Sequence, residues 1–176
     1  MKDRLTPDFM FAHYWEVTPA FLREQGIRTL LIDIDNTLAP YEMPDPDDRV
    51  RAWFADLAAA GIRAALVSNN HAPRVERFNE TLGLPAFPES GKPGKKAILR
   101  ALAALGADLS GAAVLGDQLL TDAYAGKRLG LPAIIVPPIK DKTNAFFRFK
   151  RLLERRYIRR YAKAHGREEW MAFWKV

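Results

Sequence analysis

The apolar run Leu30-Leu31-Ile32 leads into Asp33-Ile34-Asp35-Asn36-Thr37, two carboxylates around a single isoleucine. Residues i and i+2 of a strand point the same way, so Asp33 and Asp35 begin on one face, and a bend beyond the strand end aims both into one pocket. One carboxylate can then attack an electrophile while the other moves protons. An isolated Asp-x-Asp is a weak signal, because an Asx-turn or a helix cap uses the same residues. Three further stretches strengthen it: Ser68-Asn69-Asn70 after "RAALV", Lys92 in "SGKPGKK", and Asp117 in "GDQLLTD" with Asp122 five residues on. Carboxylates gathered from two strand ends repel one another unless a cation holds them. Oxygen ligands without cysteine or a histidine cluster select a hard ion, and a site that shares phosphate oxygens with its metal suits Mg²⁺.

These residues need elements to carry them to one place. Four apolar runs, "RTLLIDI" (28–34), "RAALVS" (63–68), "AAVLGD" (112–117) and "PAIIVP" (132–137), are short and mostly unalternating, as strands covered on both faces should be. Between and after them, helical patterns are expected over 47–60, 73–82, 93–105 and 119–129, and Gly61, Gly83, Gly106 and Gly130 follow at the stops. A short proline-flanked segment, 84–88, suits an edge strand. Alternating strand and helix implies an α/β fold: a three-layer, doubly wound parallel sheet with right-handed crossovers. In such sheets ligands bind beyond the carboxyl ends of the strands, where every residue singled out above falls.

The ordered set "DIDNT", "VSN", "GKP" and "GDQLLTD", spanning roughly residues 28–136, resembles the haloacid dehalogenase (HAD) superfamily of aspartate-nucleophile phosphatases. At finer grain "LLIDIDNTL", "GDQLLTD" and a basic tail resemble the YqeG-type members of subfamily IIIA, whose mitochondrial relatives are phosphatidylglycerophosphate phosphatases. The resemblance implies a HAD-like Rossmannoid fold in which Asp33 attacks phosphorus and Asp35 serves as general acid and base. It implies that Ser68, with Asn69 and nearby backbone N–H groups, binds phosphoryl oxygens, and that Lys92 offsets their charge. It also implies Mg²⁺ held by Asp33, the Asp35 carbonyl, Asp117 and Asp122, the last as a ligand or through a bound water. Pro93 supports Lys92 by disfavouring helical geometry there and by suiting a first helical position; Lys95 is the alternative lysine. Each residue also has a plainer reading: Ser68 as a turn cap, Lys92 as a solvated lysine, Asp122 as a helix cap. Asn36 and Thr37 are expected to shape the turn, and His13, His71 and His165 share no metal spacing.

With 176 residues, 48% hydrophobic and 27% charged, the chain suits one compact domain, a core over 1–139 with an N-terminal helical segment and a basic extension over 140–176. Lack of cysteine fits a reducing compartment, so a cytoplasmic protein is expected. The N-terminus has no apolar h-region, and no run approaches the roughly 18 apolar residues of a spanning helix. Net charge is +6, but residues 140–163 hold ten Lys/Arg against two acids, leaving the remainder at −2. Within that segment a 100° step groups Phe146, Phe149, Leu153, Tyr157 and Tyr161 opposite Arg148, Arg151, Arg155 and Arg159. Such a basic amphipathic helix suits an anionic membrane surface at the inner face of the membrane, packing on the sheet with a solvated basic face, or nucleic acid. The terminal "EEWMAFWKV" is expected to dock on the domain, a membrane or another subunit. The short spans between motifs leave no room for a cap domain, which favours a phosphorylated substrate presented on something large or surface-bound. Two other readings stand beside a lipid phosphatase: a nucleic-acid or ribosome-associated binding module, and a phosphatase of soluble sugar or nucleotide phosphates.

Overall fold

The computed structural model describes residues 4–140, 145–167 and 171–172, excluding the side chains of 145–148. Six parallel strands form one sheet in the order β1-β6-β5-β2-β3-β4. They are β1 (Phe9–Met10), β2 (Thr29–Ile32), β3 (Arg63–Val67), β4 (Ala86–Phe87), β5 (Ala112–Gly116) and β6 (Ala133–Ile135). The helices are α1 (Pro19–Glu24), α2 (Asp48–Ala59), α3 (Ala72–Asn79), α4 (Lys96–Ala104), α5 (Tyr124–Lys127) and α6 (Ala145–Ala164), with short 3₁₀ and π turns at Tyr14–Glu16 and Leu119–Ala123.

Each central strand is buried on both faces, which is why its residues are apolar without alternation. Leu30 and Ile32, with Ala64, Leu66, Ala113, Leu115 and Ile134, face a cluster built on Leu22 of α1, Trp53 and Leu57 of α2, and Val75 and Phe78 of α3. Their strand neighbours Leu31, Ala65, Val67, Val114 and Ile135 face the opposite cluster, built on Ile98 and Leu102 of α4, Ala125 of α5, and Ile158 and Tyr161 of α6. Three layers result. The chain runs outward from β2 through β3 and β4, then from β5 through β6, so the winding reverses between β2 and β5. That reversal opens a crevice at their carboxyl ends, the usual ligand position.

The expected boundaries hold with four differences. The sheet gains β1, a two-residue strand that no apolar run announces. It is tied in by Asp8, whose Oδ2 accepts the Ala133 N–H at 2.8 Å. The helix expected from Pro93 begins at Lys96; residues 91–95 form a turn closed by the Gly94 N–H to Gly91 carbonyl bond at 2.7 Å, with a cis Lys92–Pro93 peptide. The helix expected over 119–129 opens with a π turn, in which the Ala123 N–H donates to the Gln118 carbonyl five residues back.

The fourth difference is the rotation of α6. Among its described side chains Glu154, Ile158, Tyr161 and Ala162 are buried, and Arg151 points inward with a side chain 13% exposed, whereas Phe149, Leu152 and Leu153 face solvent. The apolar stripe read from the sequence is therefore only half buried, because buried ion pairs take its place along the amino-terminal half of the contact. Phe146 and Arg148, read as opposite faces of this helix, lie outside the described side chains, as does most of 168–176. Between β2 and β3 the chain forms only a loop and α2, and between β3 and Lys92 only α3 and the edge strand, so the fold carries no cap domain at either position.

Candidate active site

Asp33 follows β2 directly and remains in register with β5, its N–H donating to the Leu115 carbonyl at 2.9 Å. Its side chain is nearly sealed from solvent and meets the Lys92 ammonium at 2.8 Å. Lys92 Nζ also lies 2.6 Å from Asp122 Oδ1 and donates to the Val67 carbonyl at 2.6 Å. Two carboxylates and a strand-end carbonyl thus share one buried ammonium. The turn before α4 delivers it: Asn69 Oδ1 accepts the Lys92 N–H at 2.7 Å, and Asn69 Nδ2 donates to the Lys92 carbonyl at 3.0 Å. Asn69, expected on the phosphate, has its side-chain amide engaged in holding this turn. Lys95 is exposed at the start of α4, so of the two lysines only Lys92 enters the site.

Asp117 leaves β5 fully buried, and Asp122 returns beside it through the π turn, its Oδ2 accepting the Gln118 N–H at 3.2 Å. Gly116 is required there, because a Cβ at that position would overlap the Asp122 carboxyl carbon. One carboxylate oxygen from each of Asp33, Asp117 and Asp122 lies within 4.8 Å of the other two, close enough for a single ion to bridge them. Five buried carboxylates, Asp33, Asp35, Asp117, Asp122 and Glu154, stand here against Lys92, Arg74 and Arg151 among the described residues. With all five ionised the acids would outnumber these cations by two, a balance that favours a bound cation, and the all-oxygen donor set fits a hard ion.

Asp35 lies outside that three-carboxylate cluster. Its Oδ2 accepts from Asn70 Nδ2 at 2.9 Å, and its Oδ1 is 3.2 Å from both Nε and a terminal nitrogen of Arg74, which also donates to the Pro44 carbonyl. The loop after it is tight: Asn36 takes a left-handed φ of 65°, and its N–H donates to the Ala39 carbonyl at 2.8 Å. Ser68 follows β3 directly, its Oγ accepting the Asn70 N–H at 3.1 Å, a local turn contact at the carboxyl end of the strand.

Burial, with repulsion from Asp122 and Asp117, outweighs the attraction of Lys92 and pushes the Asp33 carboxyl up to about 8. Asp117 is likewise pushed up by burial, against the pull of Arg151. Lys92 is held above the ordinary lysine range: burial alone would lower it, and its two carboxylate partners overcome that.

Arg151, Glu154 and Arg74 were not expected at the site from the sequence, and Asn70, named there in the stretch Ser68-Asn69-Asn70, was given no role of its own. Arg151 of α6 reaches Asp117, one nitrogen 2.5 Å from Oδ2 and the other donating to the Asp117 carbonyl at 2.8 Å. Glu154 pairs with Arg151 at 3.1 Å and accepts the Leu120 N–H at 3.0 Å. Glu154 is the only acid in the run 142–163, one turn from Arg151, and that signal was readable. Asn70 adjoins the Ser68-Asn69 pair, and Arg74 lies one helical turn beyond it. The basic segment thus contributes directly to the carboxylate site. His13 stacks on Trp15, His165 stacks on Tyr161, and His71 is exposed ahead of α3.

A doubly wound sheet with an Asp-x-Asp loop at the winding reversal, a buried lysine opposite it and two acids after the next strand defines a hydrolase of the HAD type. A family model described as HAD-hydrolase-like matches residues 89–141. Across 170 residues the chain is 34% identical to "Probable phosphatase YqeG" of Bacillus subtilis (strain 168), covering 97% of this chain and 98% of that one; it belongs to this YqeG family of HAD-type phosphatases. Among solved structures, an uncharacterized protein from Listeria monocytogenes serotype 4b shares the fold, with 16% identity, a TM-score of 0.54, and coverage of 67% of this chain and 85% of that one. CbbY from Rhodobacter sphaeroides, solved with phosphate, also shares it, with 17% identity, a TM-score of 0.51, and coverage of 68% and 90%.

Proposed function

We propose that this protein is a Mg²⁺-dependent phosphomonoester hydrolase that acts on a lipid phosphate of the phosphatidylglycerophosphate class through an aspartyl phosphate at Asp33. The observation that carries the reading is the buried Asp33 beside Lys92, with Asp117 and Asp122 within bridging distance of its carboxylate. Asp33, Asp117 and Asp122, with the Asp35 carbonyl, would hold the Mg²⁺, whose charge would offset that of the phosphoryl group. An Asp33 carboxylate oxygen bonds to phosphorus as the bond to the alcohol oxygen breaks, and the departing oxygen takes a proton from Asp35. Asp35 then removes a proton from water, which attacks phosphorus and frees Asp33 and inorganic phosphate. Asn70 and Arg74 hold the Asp35 carboxylate in one orientation for both transfers. Lys92 neutralises Asp33 and the incoming phosphoryl group, while the Ser68 hydroxyl and the backbone beside Asn69 supply donors to the phosphoryl oxygens.

Two features support a surface-bound substrate. The crevice has no cap to enclose a small metabolite, and α6 carries solvent-facing Phe149, Leu152 and Leu153 beside arginines, the composition of an interfacial helix. The test is phosphate release from phosphatidylglycerophosphate vesicles, compared with sugar and nucleotide phosphates, with and without Mg²⁺. Mg²⁺-dependent release that prefers the lipid supports the assignment. Preference for a soluble ester assigns the enzyme to metabolites instead. RNA cosedimentation without hydrolysis of any ester would make the chain a binding module.

A further inference from the structure

Helix α6 meets the carboxylate site through little more than one turn, and that turn holds the chain that links Asp117 to Asp122. One terminal nitrogen of Arg151 donates to Asp117 Oδ2 at 2.5 Å. The other donates to the Asp117 carbonyl at 2.8 Å and to Glu154 Oε2 at 3.1 Å. Lys150 Nζ donates to Gln118 Oε1 at 2.8 Å, and Glu154 Oε1 accepts the Leu120 N–H at 3.0 Å. Residues 150–154 thus grip Asp117, Gln118 and Leu120.

The linking chain does not hold itself. Gln118 caps the π turn at Leu119–Ala123 without any side-chain cap bond, and the Leu120 N–H, a free donor of the first turn, finds Glu154 instead. Asp122 is fixed from inside the turn, where its Oδ2 accepts the Gln118 N–H, and by Lys92 on its Oδ1. Asp117 lacks that support. Within its own loop its carboxylate meets only the Gln118 amide, 3.5 Å from Oδ1 and at the outer limit of a hydrogen bond. What fixes the Asp117 side chain is Arg151.

Arginine suits that task in a way lysine does not. Its planar fork ties the carboxylate and the carbonyl of one residue together, and Glu154 holds the fork from the side. An ammonium carries the same charge on a flexible stem without the fork. Asp117 and Glu154 are both buried, so little water competes for these bonds. Asp117 Oδ2 is committed to Arg151, and Oδ1 is left without a strong donor.

We propose that Arg151 is a positioning residue of the metal centre: by holding Asp117 Oδ2 it presents Oδ1 to the divalent ion, and Glu154 holds Arg151 in turn. This rests on the metal-binding part of the phosphatase reading and makes α6 a component of that centre, whatever its outer face meets. A merely neutralising cation predicts otherwise. Arg151→Lys keeps the charge, so neutralisation alone would leave affinity for the ion unchanged, whereas losing a partner that orients a metal ligand weakens affinity roughly 10- to 100-fold.

The test titrates Mn²⁺, a hard ion with the same preference for octahedral oxygen ligands, into metal-free full-length protein. Electron paramagnetic resonance reads the free Mn²⁺, and competition with Mg²⁺ gives the affinity for the second ion. Wild type is compared with Arg151→Lys and with Glu154→Asp, which keeps its charge but draws the carboxylate back from Arg151; circular dichroism confirms folding. Both ions should bind roughly 10- to 100-fold more weakly to Arg151→Lys, with a smaller loss in the same direction for Glu154→Asp. The Mg²⁺ concentration for half-maximal ester hydrolysis should rise by the same factors. Unchanged or tighter binding by folded Arg151→Lys overturns the proposal and leaves the phosphatase reading intact. Should that variant not fold, unchanged binding by Glu154→Asp overturns it equally. Weakened binding in the variants of a protein that hydrolyses no phosphate ester rejects the phosphatase and retains the role of Arg151. Wild-type protein that binds neither ion rejects the metal centre and the proposal together.

Discussion

Replacing Lys92 with methionine removes a charge while keeping most of the side-chain volume, and the structure sets the size of the effect. The Lys92 ammonium lies 2.8 Å from Asp33, 2.6 Å from Asp122 and 2.6 Å from the Val67 carbonyl, with its side chain 5% exposed. Breaking a buried pair by deleting one partner costs about 3–5 kcal/mol, because the remaining charge stays buried. Here one of the two carboxylates has an escape. Asp33 already binds its proton up to about pH 8, so at pH 7 it stays neutral in the variant, and the remaining cost falls on Asp122 and the Val67 carbonyl. A loss near the lower end, about 3 kcal/mol, is expected for metal-free protein at pH 7. For a chain of this length that corresponds to a fall in Tm of roughly 6–12 °C. Urea denaturation in EDTA measures it directly, and added Mg²⁺ should recover part of the loss by supplying another positive charge to Asp33 and Asp122. A loss below about 1 kcal/mol in EDTA would mean that Lys92 does not neutralise these carboxylates, and the electrostatic description of the site would be wrong.

Metal-free protein should lose stability as pH rises from about 4 to 8, because Asp33 holds its proton to about 8 when folded and sheds it near 3.8 when unfolded. Its stabilising contribution is complete below the lower value and gone above the upper one; urea midpoints at pH 5 and pH 8 in EDTA test this, with saturating Mg²⁺ expected to narrow the difference. Arg151→Met should destabilise metal-free protein by about 3 kcal/mol, since Asp117 and Glu154 both lose their buried cation. An unchanged midpoint would contradict the docking of α6 on the site. Gly116→Ala should cost about 1–3 kcal/mol through overlap with the Asp122 carboxyl, read as a lower Tm; a neutral result would contradict the close approach of Asp122 to the end of β5.

The parallel sheet was legible because its strands are buried on both faces, so 28–34, 63–68, 112–117 and 132–137 stand out as continuous apolar runs. The two-residue strand β1 was not, since its pairing depends on Asp8 meeting Ala133 across the whole sequence. Asp33, Lys92, Asp117 and Asp122 were readable because each follows or faces a strand end, and the structure brings their side chains together. The orientation of Asp35 toward Asn70 and Arg74 was hidden, because Arg74 sits on a helix whose angle to the loop is a tertiary property. The tail misled for a related reason. Periodicity ranks faces by hydrophobicity, and α6 buries Glu154 and most of Arg151 against the site while leaving Phe149 and Leu152 in solvent. The amide of Asn69 shows the same limit: its residue type suits a phosphate contact, but the contacts it makes hold the Lys92 turn.

The most direct test asks whether the phosphoryl group rests on Asp33 during turnover. Acid quenching in the presence of substrate and Mg²⁺, followed by borohydride reduction and peptide mass spectrometry, converts an aspartyl phosphate to homoserine at the residue that carried it. Homoserine at position 33, dependent on substrate and Mg²⁺, is the expected result. Continued phosphate release with homoserine at position 35 instead, or with position 33 unmodified under conditions that trap the intermediate in a HAD phosphatase control, would contradict Asp33 as the nucleophile.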